Sequence, residues 1–478
     1  MKMIINGQKR DSSNNRVVEI INPFNQELLD TVPSATEEDL ELALEHASKG
    51  KRVWRETPLY KRSKILLQFT EKVREHREEL SVLLCKETGK TIKEAMIELN
   101  SVQYIFRSFI EQANHLYGIT IPDSQPGGEK DIIFTRREPL GVVVCIIPFN
   151  YPALTYAYKV APALITGNSV IIKPPSDNPM TLIRITELLL ECGVPENAVQ
   201  IVTGSGSVIG KYLVESSKTD AVSLTGSTKV GIETAKSAAG KLHRVFLELG
   251  GNDALIVFED GDIESAVKEA VISRTMNAGQ ACIASKRFIV HNSIKDEFTR
   301  LLVEKLSTLT IGDPLNPKTD MGCLINENAA KEVKKQVDLT IKQGANCIYG
   351  GNILNKTFFQ PTVLEGVTPD MDIAKDMEVF GPVFPIIGFD NEEEAISIHN
   401  SSAYGLNGGI ITNDINKALR VADKLECGGV VINGSGIYRH PDIAFGGYKM
   451  SGIGREGVSA TLEELTQVKT IVMKNVLK

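Results

Sequence analysis

The sequence predicts an α/β protein with two doubly wound parallel sheets and a separate β-hairpin arm. Between residues 141 and 250, short apolar runs alternate with helical patterns. The runs are Val142–Ile147, Ser169–Ile172, Ala198–Val202 and Ala221–Leu224. Apolar strands joined by helices are typical of a parallel sheet with crossover connections. A second α/β region starts at Ala254–Val257 and continues to about residue 447.

The arm is predicted from residues 119–140. Pro, Gly and Ser are frequent there and precede the extended run Asp131–Arg137. A strand bounded by turn-forming residues indicates a protruding hairpin. Because an unpaired strand edge favours association, we expect an oligomer.

The N-terminal region is predicted to be helical after a short β start. Thr36 and Asp39 form a variant of the capping box, and apolar residues then recur at helical spacing. Pro58 ends this first helix, and a longer amphipathic region runs from about Tyr60 to Leu116 with a break near Gly89.

Composition favours a small-molecule partner. The chain has 478 residues, of which 42% are hydrophobic and 24% charged, and its length predicts two or three domains. The net charge of −7 is spread without basic runs, which argues against nucleic acid and anionic membranes. The N-terminus resembles no signal peptide and no run is long enough for a membrane helix, so we expect a cytoplasmic protein.

The seven cysteines form no CxxC pair, and the seven histidines are dispersed. This pattern predicts neither a disulfide framework nor a metal site.

Two short segments carry the clearest chemical signal. Leu247–Gly251 holds the carboxylate of Glu248 beside two glycines, and Gly279–Cys282 holds a thiol beside small residues. A reaction in which a cysteine attacks a carbonyl and a water is later activated needs these two groups.

Five motifs in order resemble those of the aldehyde dehydrogenase superfamily, and the resemblance extends from about Asn6 to the C-terminus. They are Pro148–Pro152, Lys173–Ser176, Thr225–Gly231, the two segments above taken together, and Glu378–Pro382. The resemblance implies an aldehyde dehydrogenase-like fold that oxidises an aldehyde to an acid with NAD or NADP. It also implies a homodimer or homotetramer.

The implied domains divide the chain into three parts. Residues 1–118 and 141–250 form the dinucleotide-binding domain, and residues 251–447 form the catalytic domain. Residues 119–140 and 448–478 form the oligomerisation arm, in which Val468–Lys474 is expected to pair with the hairpin of a neighbouring subunit.

The resemblance assigns three catalytic roles. Cys282 is the nucleophile, and Asn150 stabilises the oxyanion together with the Cys282 N–H. Glu248 activates the water that hydrolyses the thioester. Relatives that transfer the acyl group to CoA typically lack a carboxylate at this position, so Glu248 favours release of a free acid.

The resemblance also predicts the cofactor residues. Gly226 and Ser227 open a helix whose N-terminus faces the pyrophosphate, whereas Lys173 binds the adenosine ribose and Glu378 the nicotinamide ribose. The remaining candidates lie in the same motifs or in the loop at residues 204–210. They are Pro148, Phe149, Ser176, Gly206, Gly210, Gly231, Leu249 and Phe380.

The residue three positions after Lys173 bears on the choice of cofactor. Relatives that prefer NAD often carry a glutamate there, and this chain has Ser176. The missing negative charge favours NADP slightly over NAD.

The substrate is predicted from the branch that the motifs resemble, which contains the lactaldehyde, phosphonoacetaldehyde and non-phosphorylating glyceraldehyde-3-phosphate dehydrogenases. Arg439 matches an arginine of that branch's substrate loop and is an anchor for an anion. Arg107 is a second candidate anchor, and Tyr151 a third substrate residue. Ala281 stands where phospho- and phosphono-specific members tend to carry arginine, which favours a hydroxyaldehyde or a semialdehyde.

Two alternatives to this function stay open. A CoA-acylating dehydrogenase would form an acyl-CoA. A catalytically inactive member of the fold would serve as a structural or binding protein, but such a member is expected to have lost Cys282 or Glu248.

Overall fold

A computed structural model describes residues 1–477, which form two large sheets, a small three-stranded sheet and fourteen α-helices. The helices are α1 (Glu37–Glu56), α2 (Leu59–Glu75), α3 (Arg77–Thr88), α4 (Ile92–Ala113), α5 (Pro152–Ile165), α6 (Met180–Glu191), α7 (Gly206–Glu215), α8 (Thr228–Ala239), α9 (Ile263–Thr275), α10 (Lys295–Ser307), α11 (Glu327–Lys342), α12 (Glu392–Asn400), α13 (Ile415–Lys424) and α14 (Val458–Glu464).

The strands, also numbered in chain order, are β1 (Met3–Ile5), β2 (Gln8–Arg10), β3 (Val17–Ile21), β4 (Leu28–Pro33), β5 (Thr120–Ile121), β6 (Ile132–Pro139), β7 (Val142–Ile146), β8 (Ser169–Lys173), β9 (Val199–Ile201), β10 (Ala221–Thr225), β11 (Arg244–Glu248), β12 (Ala254–Val257), β13 (Arg287–His291), β14 (Asn346–Tyr349), β15 (Ile353–Asn355), β16 (Phe358–Phe359), β17 (Thr362–Val367), β18 (Val383–Phe389), β19 (Tyr404–Gly405), β20 (Asn407–Ile411), β21 (Gly429–Ile432), β22 (Tyr448–Lys449), β23 (Gly452–Ile453) and β24 (Thr466–Met473).

The first large sheet has the order β2-β1-β9-β8-β7-β10-β11-β23, and its five middle strands are parallel. The chain moves outward from β7 through β8 and β9, then crosses to β10 and β11. The strand order therefore reverses between β7 and β10, and ligands of doubly wound sheets bind beside such a switch point. The loops after β7 and β10 both begin there.

The second large sheet has the order β14-β17-β18-β13-β12-β20-β21 and is parallel except for β14. Its interior strand β12 is fully buried, as expected for a strand covered by helices on both faces. The predicted class, two doubly wound α/β sheets with a hairpin arm, is confirmed.

The helical N-terminal region also agrees with the prediction, with one addition. Thr36 and Asp39 form the capping box of α1, and α2 follows Pro58 directly. The structure adds a break at His76, between α2 and α3. Gly89 ends α3 in the left-handed conformation, with φ of 77°, which explains the predicted interruption.

The arm differs from the prediction in its pairing. β24 pairs with β6 of the same chain in a continuous antiparallel register from Thr466–Pro139 to Met473–Ile132. The prediction that these segments pair between subunits is therefore wrong. Helix α14 packs on α4 and α5 and returns the chain beside its own hairpin. β23, which was assigned to the arm, instead pairs with β11 in the first large sheet.

No helix within residues 1–477 is both long and apolar enough to cross a membrane.

Candidate active site

Loops from both large sheets meet at one place between them. The loop after β7 carries Asn150, the loop after β11 carries Glu248, and the segment before β13 carries Cys282. The close approach of these loops requires glycine. A Cβ on Gly279, whose φ is 77°, would lie 2.5 Å from the backbone of Gly381. The cysteine loop therefore packs directly on the loop that carries Glu378.

The cysteine loop is held in a strained conformation. Asn277 and Ala278 adopt left-handed φ angles of 49° and 53°, which are uncommon for residues other than glycine. The N–H of Asn277 donates to Glu94 Oε1 at 2.6 Å, and the Gln280 amide bridges Asn277 O and Ile325 N. The fully buried Arg274 donates to carbonyls on this loop and on residues 379–383. These bonds fix the position of the thiol before any substrate arrives.

Glu248 lies against the Cys282 thiol. Burial, aided by the charge of Glu456, raises the pKa of Glu248 to about 7, while the contact with Cys282 and the cations of Lys159 and Arg439 oppose this shift. Burial, followed by the charge of Glu248 and a hydrogen bond to it, raises the pKa of Cys282 well above its ordinary value. Within the described chain, Glu248 Oε1 has no hydrogen-bond partner. The Cys282 thiol is thus hydrogen-bonded to the Glu248 carboxylate, which can accept a proton near neutral pH.

Asn150 is buried at the end of β7, and its position is fixed from two sides. Its side-chain Nδ2 donates to Gln280 O at 3.0 Å, next to the nucleophile loop. Its backbone carbonyl accepts from Lys90 Nζ at 2.8 Å and from Asn277 Nδ2 at 2.9 Å. An amide has two N–H donors, so a second donor of Asn150 is available to an oxyanion.

A narrow cavity beyond Glu248 is lined by charged residues that the sequence predictions did not include, among them Lys159 and Glu456. Lys159 is 2% exposed and donates to Glu456 Oε1 at 3.0 Å and to Ser223 Oγ at 3.2 Å. The signal was a lysine within the otherwise apolar helix α5, since a buried lysine requires a partner. The partner, Glu456, is 297 residues away in sequence, and no local pattern indicates it.

Arg439 and Tyr151 approach the same centre. The Arg439 guanidinium stacks on Phe445 at 3.6 Å and lies 3.7 Å from Glu456, and its Nη1 is buried without a partner in residues 1–477. The Tyr151 hydroxyl is likewise buried and unpartnered among the described residues. The charge of Cys282 contributes to raising the pKa of Tyr151, after burial, Glu94 and Glu98. Both predicted substrate residues therefore offer polar groups at the site.

Arg107 is placed elsewhere. Its side chain is half exposed on α4 and forms an ion pair with Glu71 of α2, with Thr70 Oγ1 at 3.5 Å. The structure does not bring this arginine to the catalytic centre, because α2 supplies it with a partner.

The predicted nicotinamide residues form a second wall. Phe149 and Phe380 meet edge to face, with ring centroids 6.0 Å apart. Glu378 Oε1 accepts from the N–H of Gly251 at 3.0 Å, and a Cβ on Gly250 would lie 2.4 Å from Glu378 Oε2. The absence of a side chain at Gly250 thus allows the Glu378 carboxylate to pack against the loop that carries Glu248. Pro148, one residue before Phe149, is half-buried.

The predicted adenosine residues gather at the ends of β8 and β9. Lys173 is 4% exposed, and its Nζ lies 3.3 Å from Ser176 Oγ. Burial lowers the pKa of Lys173 to about 8, opposed by the charge of Asp177. Gly206 begins α7, and a Cβ there would lie 3.6 Å from Lys173 Nζ. Gly210 is buried one turn later, near Ile146.

The predicted pyrophosphate residues lie at the start of α8. Ser227 is the N-cap and accepts from the N–H of Val230, and Gly226 precedes it at the end of β10. Gly231 contacts Leu249 so closely that a Cβ would lie 2.4 Å from a Leu249 methyl carbon. Gly231 and Leu249 thus set how near α8 approaches the Glu248 loop.

The residues present fit a nicotinamide dinucleotide. At one end lies the buried Lys173, which has spare hydrogen-bond donors. In the middle, the N-terminus of α8 lies beside the switch point. At the other end, Glu378 and the rings of Phe149 and Phe380 lie beside the thiol. Within residues 1–477, no group of three or more His, Cys, Asp or Glu side chains is arranged to hold a metal ion.

Comparison with known proteins gives the same family. The sequence profile of the aldehyde dehydrogenase family matches residues 9–471. The chain is 37% identical over 463 residues to a lactaldehyde dehydrogenase of Methanococcus maripaludis, covering 96% of this chain and 97% of the relative. It is 35% identical over 457 residues to a 3-sulfolactaldehyde dehydrogenase of Priestia megaterium, covering 95% and 94%.

Among solved structures, an NADP-dependent enzyme of Escherichia coli superimposes with a TM-score of 0.96 at 33% identity, covering 99% of this chain and 98% of that one. The match thus extends over nearly the whole chain in sequence and in fold. The chain belongs to the aldehyde dehydrogenase family.

Proposed function

We propose that this enzyme oxidises a small polar or anionic aldehyde to the free carboxylic acid, with Cys282 as nucleophile and Glu248 as base. The observation that carries the proposal is the buried Glu248 carboxylate against the Cys282 thiol, next to Asn150. The family supplies the reaction class, an NAD(P)-dependent aldehyde oxidation.

The first step forms a hemithioacetal. Glu248 takes the thiol proton as the Cys282 sulfur bonds to the aldehyde carbon, and the carbonyl oxygen becomes an oxyanion. The Asn150 amide stabilises that charge. Because Gln280 and Lys90 hold Asn150 in advance, this donor needs no rearrangement during the reaction.

The second step converts the hemithioacetal into a thioester and then an acid. When bound, the nicotinamide cofactor accepts the hydride that leaves the hemithioacetal carbon. Glu248 must then pass its first proton on, and the cavity with Lys159 and Glu456 offers a polar route away from it. Glu248 next removes a proton from water, and the hydroxide adds to the thioester carbon. The carbon–sulfur bond then breaks, the free acid is released, and the Cys282 thiolate takes back the proton held by Glu248.

Glu248 also separates this proposal from the CoA-acylating alternative. A carboxylate with a pKa of about 7 beside the thiol is suited to activating water near neutral pH. Release of an acid, not an acyl-CoA, is therefore the proposed outcome. The presence of Cys282, Glu248 and Asn150 in one geometry argues equally against an inactive member of the fold.

The substrate class is proposed from Arg439. Its Nη1 is a buried donor with no partner in the part of the chain described, and the guanidinium lies 3.7 Å from Glu456. A carboxylate, sulfonate or hydroxyl group on the aldehyde would satisfy that donor. The relatives named for lactaldehyde and 3-sulfolactaldehyde agree with a short polar chain.

Use of NADP, with some preference over NAD, is proposed from Ser176. Its hydroxyl donates to Gly204 O at 3.0 Å and adds no charge beside Lys173. Lys173 is left with spare donors for a 2′-phosphate or a ribose hydroxyl. The negative charge of Asp177 acts on Lys173 and opposes binding of a 2′-phosphate, so the preference is expected to be modest.

A homodimer or homotetramer in the cytoplasm completes the proposal. β24 is an edge strand of its three-stranded sheet and carries the exposed residues Val468 (58%) and Val472 (51%), which an adjoining subunit would cover. All seven cysteines are free thiols, which is usual in a reducing compartment.

The test is a substrate panel with each cofactor. Lactaldehyde, glycolaldehyde, succinate semialdehyde, 3-sulfolactaldehyde and betaine aldehyde are oxidised in parallel, and both reduced cofactor and free acid are measured. We expect the highest kcat/KM for a short hydroxylated or anionic aldehyde, with acid formed without CoA. Preference for the cationic betaine aldehyde, or dependence on CoA, would contradict the proposal.

A further inference from the structure

Lys286 is a buried cation at the active site that the steps above do not use. It lies just before β13 and is 1% exposed. Its Nζ donates to the carbonyl oxygen of Cys282 at 2.5 Å and lies 3.4 Å from Glu378 Oε1. It also lies 5.9 Å from the ring centre of Phe380. The nucleophile and both predicted nicotinamide residues thus meet at one ammonium group.

The contacts of Lys286 determine which oxygen of Glu378 is available. Glu378 Oε1 accepts from the Gly251 N–H and pairs with Lys286, so this oxygen is occupied. Oε2 is the oxygen left to accept hydrogen bonds from a cofactor ribose. A lysine buried to this degree is costly without such partners, so its position is tied to theirs.

We propose that Lys286 is a positioning residue that links the nucleophile loop to the cofactor side of the site, presenting Glu378 Oε2 to the nicotinamide ribose and placing a positive charge beside the reacting sulfur. This inference rests on the proposed roles of Cys282 and Glu378. It assigns to Lys286 no direct contact with the aldehyde.

The electrostatics of the thiol agree with this role. The charges of Glu248, Asp253 and Lys286 act on the Cys282 thiol, and Cys282 in turn acts on Tyr151. Burial and the two carboxylates raise the pKa of the thiol, and Lys286 is the cation that lowers it. Without Lys286, the thiol would lose this stabilising positive charge.

The test compares Lys286→Met, which removes the charge in a side chain of similar length, with Lys286→Arg, which keeps it. Lys305→Met, on the exposed face of α10, is the matched control. The first readout is the pH dependence of Cys282 alkylation by iodoacetamide, with the labelled peptide identified by mass. We expect the inflection to rise by about one pH unit or more in Lys286→Met. Lys286→Arg and Lys305→Met should retain the wild-type inflection.

The second readout is the cofactor. Lys286→Met should raise the KM for the nicotinamide cofactor about 10-fold, the size expected for a lost charge-assisted contact, and leave the KM for the aldehyde unchanged. If Lys286 only supported the fold, Lys286→Met would change the KM for the cofactor and the KM for the aldehyde together, or would change neither. If Lys286→Met does not fold, Lys286→Gln, which still donates to the Cys282 carbonyl, carries the same test.

A folded uncharged variant with the wild-type inflection and cofactor KM would overturn the inference. Cys282→Ala separates this failure from failure of the proposed function. If Cys282→Ala still oxidises aldehydes, the proposed function is wrong. If Cys282→Ala is inactive while Lys286→Met behaves as wild type, only the role of Lys286 is wrong.

Discussion

The cysteine loop and the arginine loop border the same centre but are held in opposite ways. In the cysteine loop, Asn277, Gln280 and Ala281 are at most 2% exposed, and hydrogen bonds join the loop to α4, α9 and Ile325. In the loop at residues 436–444, Tyr438 is 61% exposed and most hydrogen bonds join near neighbours. Arg439 is held mainly by aromatic stacking on Phe445 and Tyr158.

This difference in how the two loops are held suits the cysteine loop to catalysis and the arginine loop to substrate specificity. A nucleophile and its oxyanion donors must be fixed within a fraction of an ångström, which buried and mutually satisfied polar groups achieve. A substrate loop on the surface can change its side chains at little cost to stability. Changes in the cysteine loop should therefore affect every aldehyde equally, and changes in the arginine loop should affect some aldehydes more than others.

The largest effect is expected from Cys282→Ala. Removing the nucleophile should lower kcat by roughly 10⁴-fold or more for every aldehyde, because no thioester can form. Cofactor binding, measured by fluorescence titration, should persist. Cys192→Ala, which changes another partly exposed thiol far along the chain on the cap of α6, is the control and should retain activity. If Cys282→Ala lowered kcat for some aldehydes much more than for others, the proposed division between a catalytic cysteine loop and a specificity-determining arginine loop would be wrong.

Glu248→Gln should lower kcat by about 10² to 10⁴-fold and change its pH dependence. The base must be deprotonated, and burial raises the pKa of Glu248 to about 7. Wild-type activity should therefore rise with pH through an apparent pKa near 7, and the variant should lose this acidic limb. The measurement is kcat from pH 5.5 to 9.

Glu464→Gln provides a matched control for the pH profile. Burial also raises the pKa of Glu464 to about 7, and Glu464 borders the same cavity. If the acidic limb disappears in Glu464→Gln and remains in Glu248→Gln, Glu464 would be the group that titrates and Glu248 would not be the base.

Asn150→Ala should lower kcat by about 10² to 10³-fold, the usual cost of one oxyanion donor. Asn150→Asp, which keeps the shape but replaces the donor with a negative charge, should lose at least as much. Lactaldehyde and betaine aldehyde should suffer the same loss, since both form the same oxyanion. A variant with normal kcat and a raised aldehyde KM would show that Asn150 binds substrate instead.

Arg439→Ala tests whether the arginine loop determines substrate specificity. It should lower kcat/KM for an anionic aldehyde about 10 to 100-fold, the effect of losing a hydrogen bond to a charged group, and change that of a neutral aldehyde little. Arg107→Ala is measured in parallel, because Arg107 was the second predicted anchor. Its pairing with Glu71 predicts no change. Equal losses on neutral and anionic aldehydes would show that Arg439 supports the fold.

The smallest effect is expected from Ser176→Glu. A carboxylate three residues after Lys173 should repel a 2′-phosphate and raise the KM for NADP about 10-fold relative to that for NAD. Ser176→Ala should leave the ratio of the two KM values near that of the wild type. The ratio is measured with one saturating aldehyde, so that the chemical step is common to both cofactors.

Local sequence predicted the elements and the candidate reactive residues. The apolar runs that became β7, β8, β10 and β12 needed only their own composition, because buried parallel strands are apolar on both faces. The candidates Cys282, Glu248, Asn150 and Glu378 follow from short motifs, in which neighbouring residues carry the signal.

Only the tertiary structure decided how distant residues are paired. Lys159 with Glu456, Lys286 with Glu378, Arg107 with Glu71 and β24 with β6 each join segments that are far apart in sequence or in separate elements. Their partners depend on the approach of packed helices and loops, and no local pattern encodes that approach. The sequence thus specified which groups are available for chemistry, and the packing of two sheets decided which charges neutralise one another.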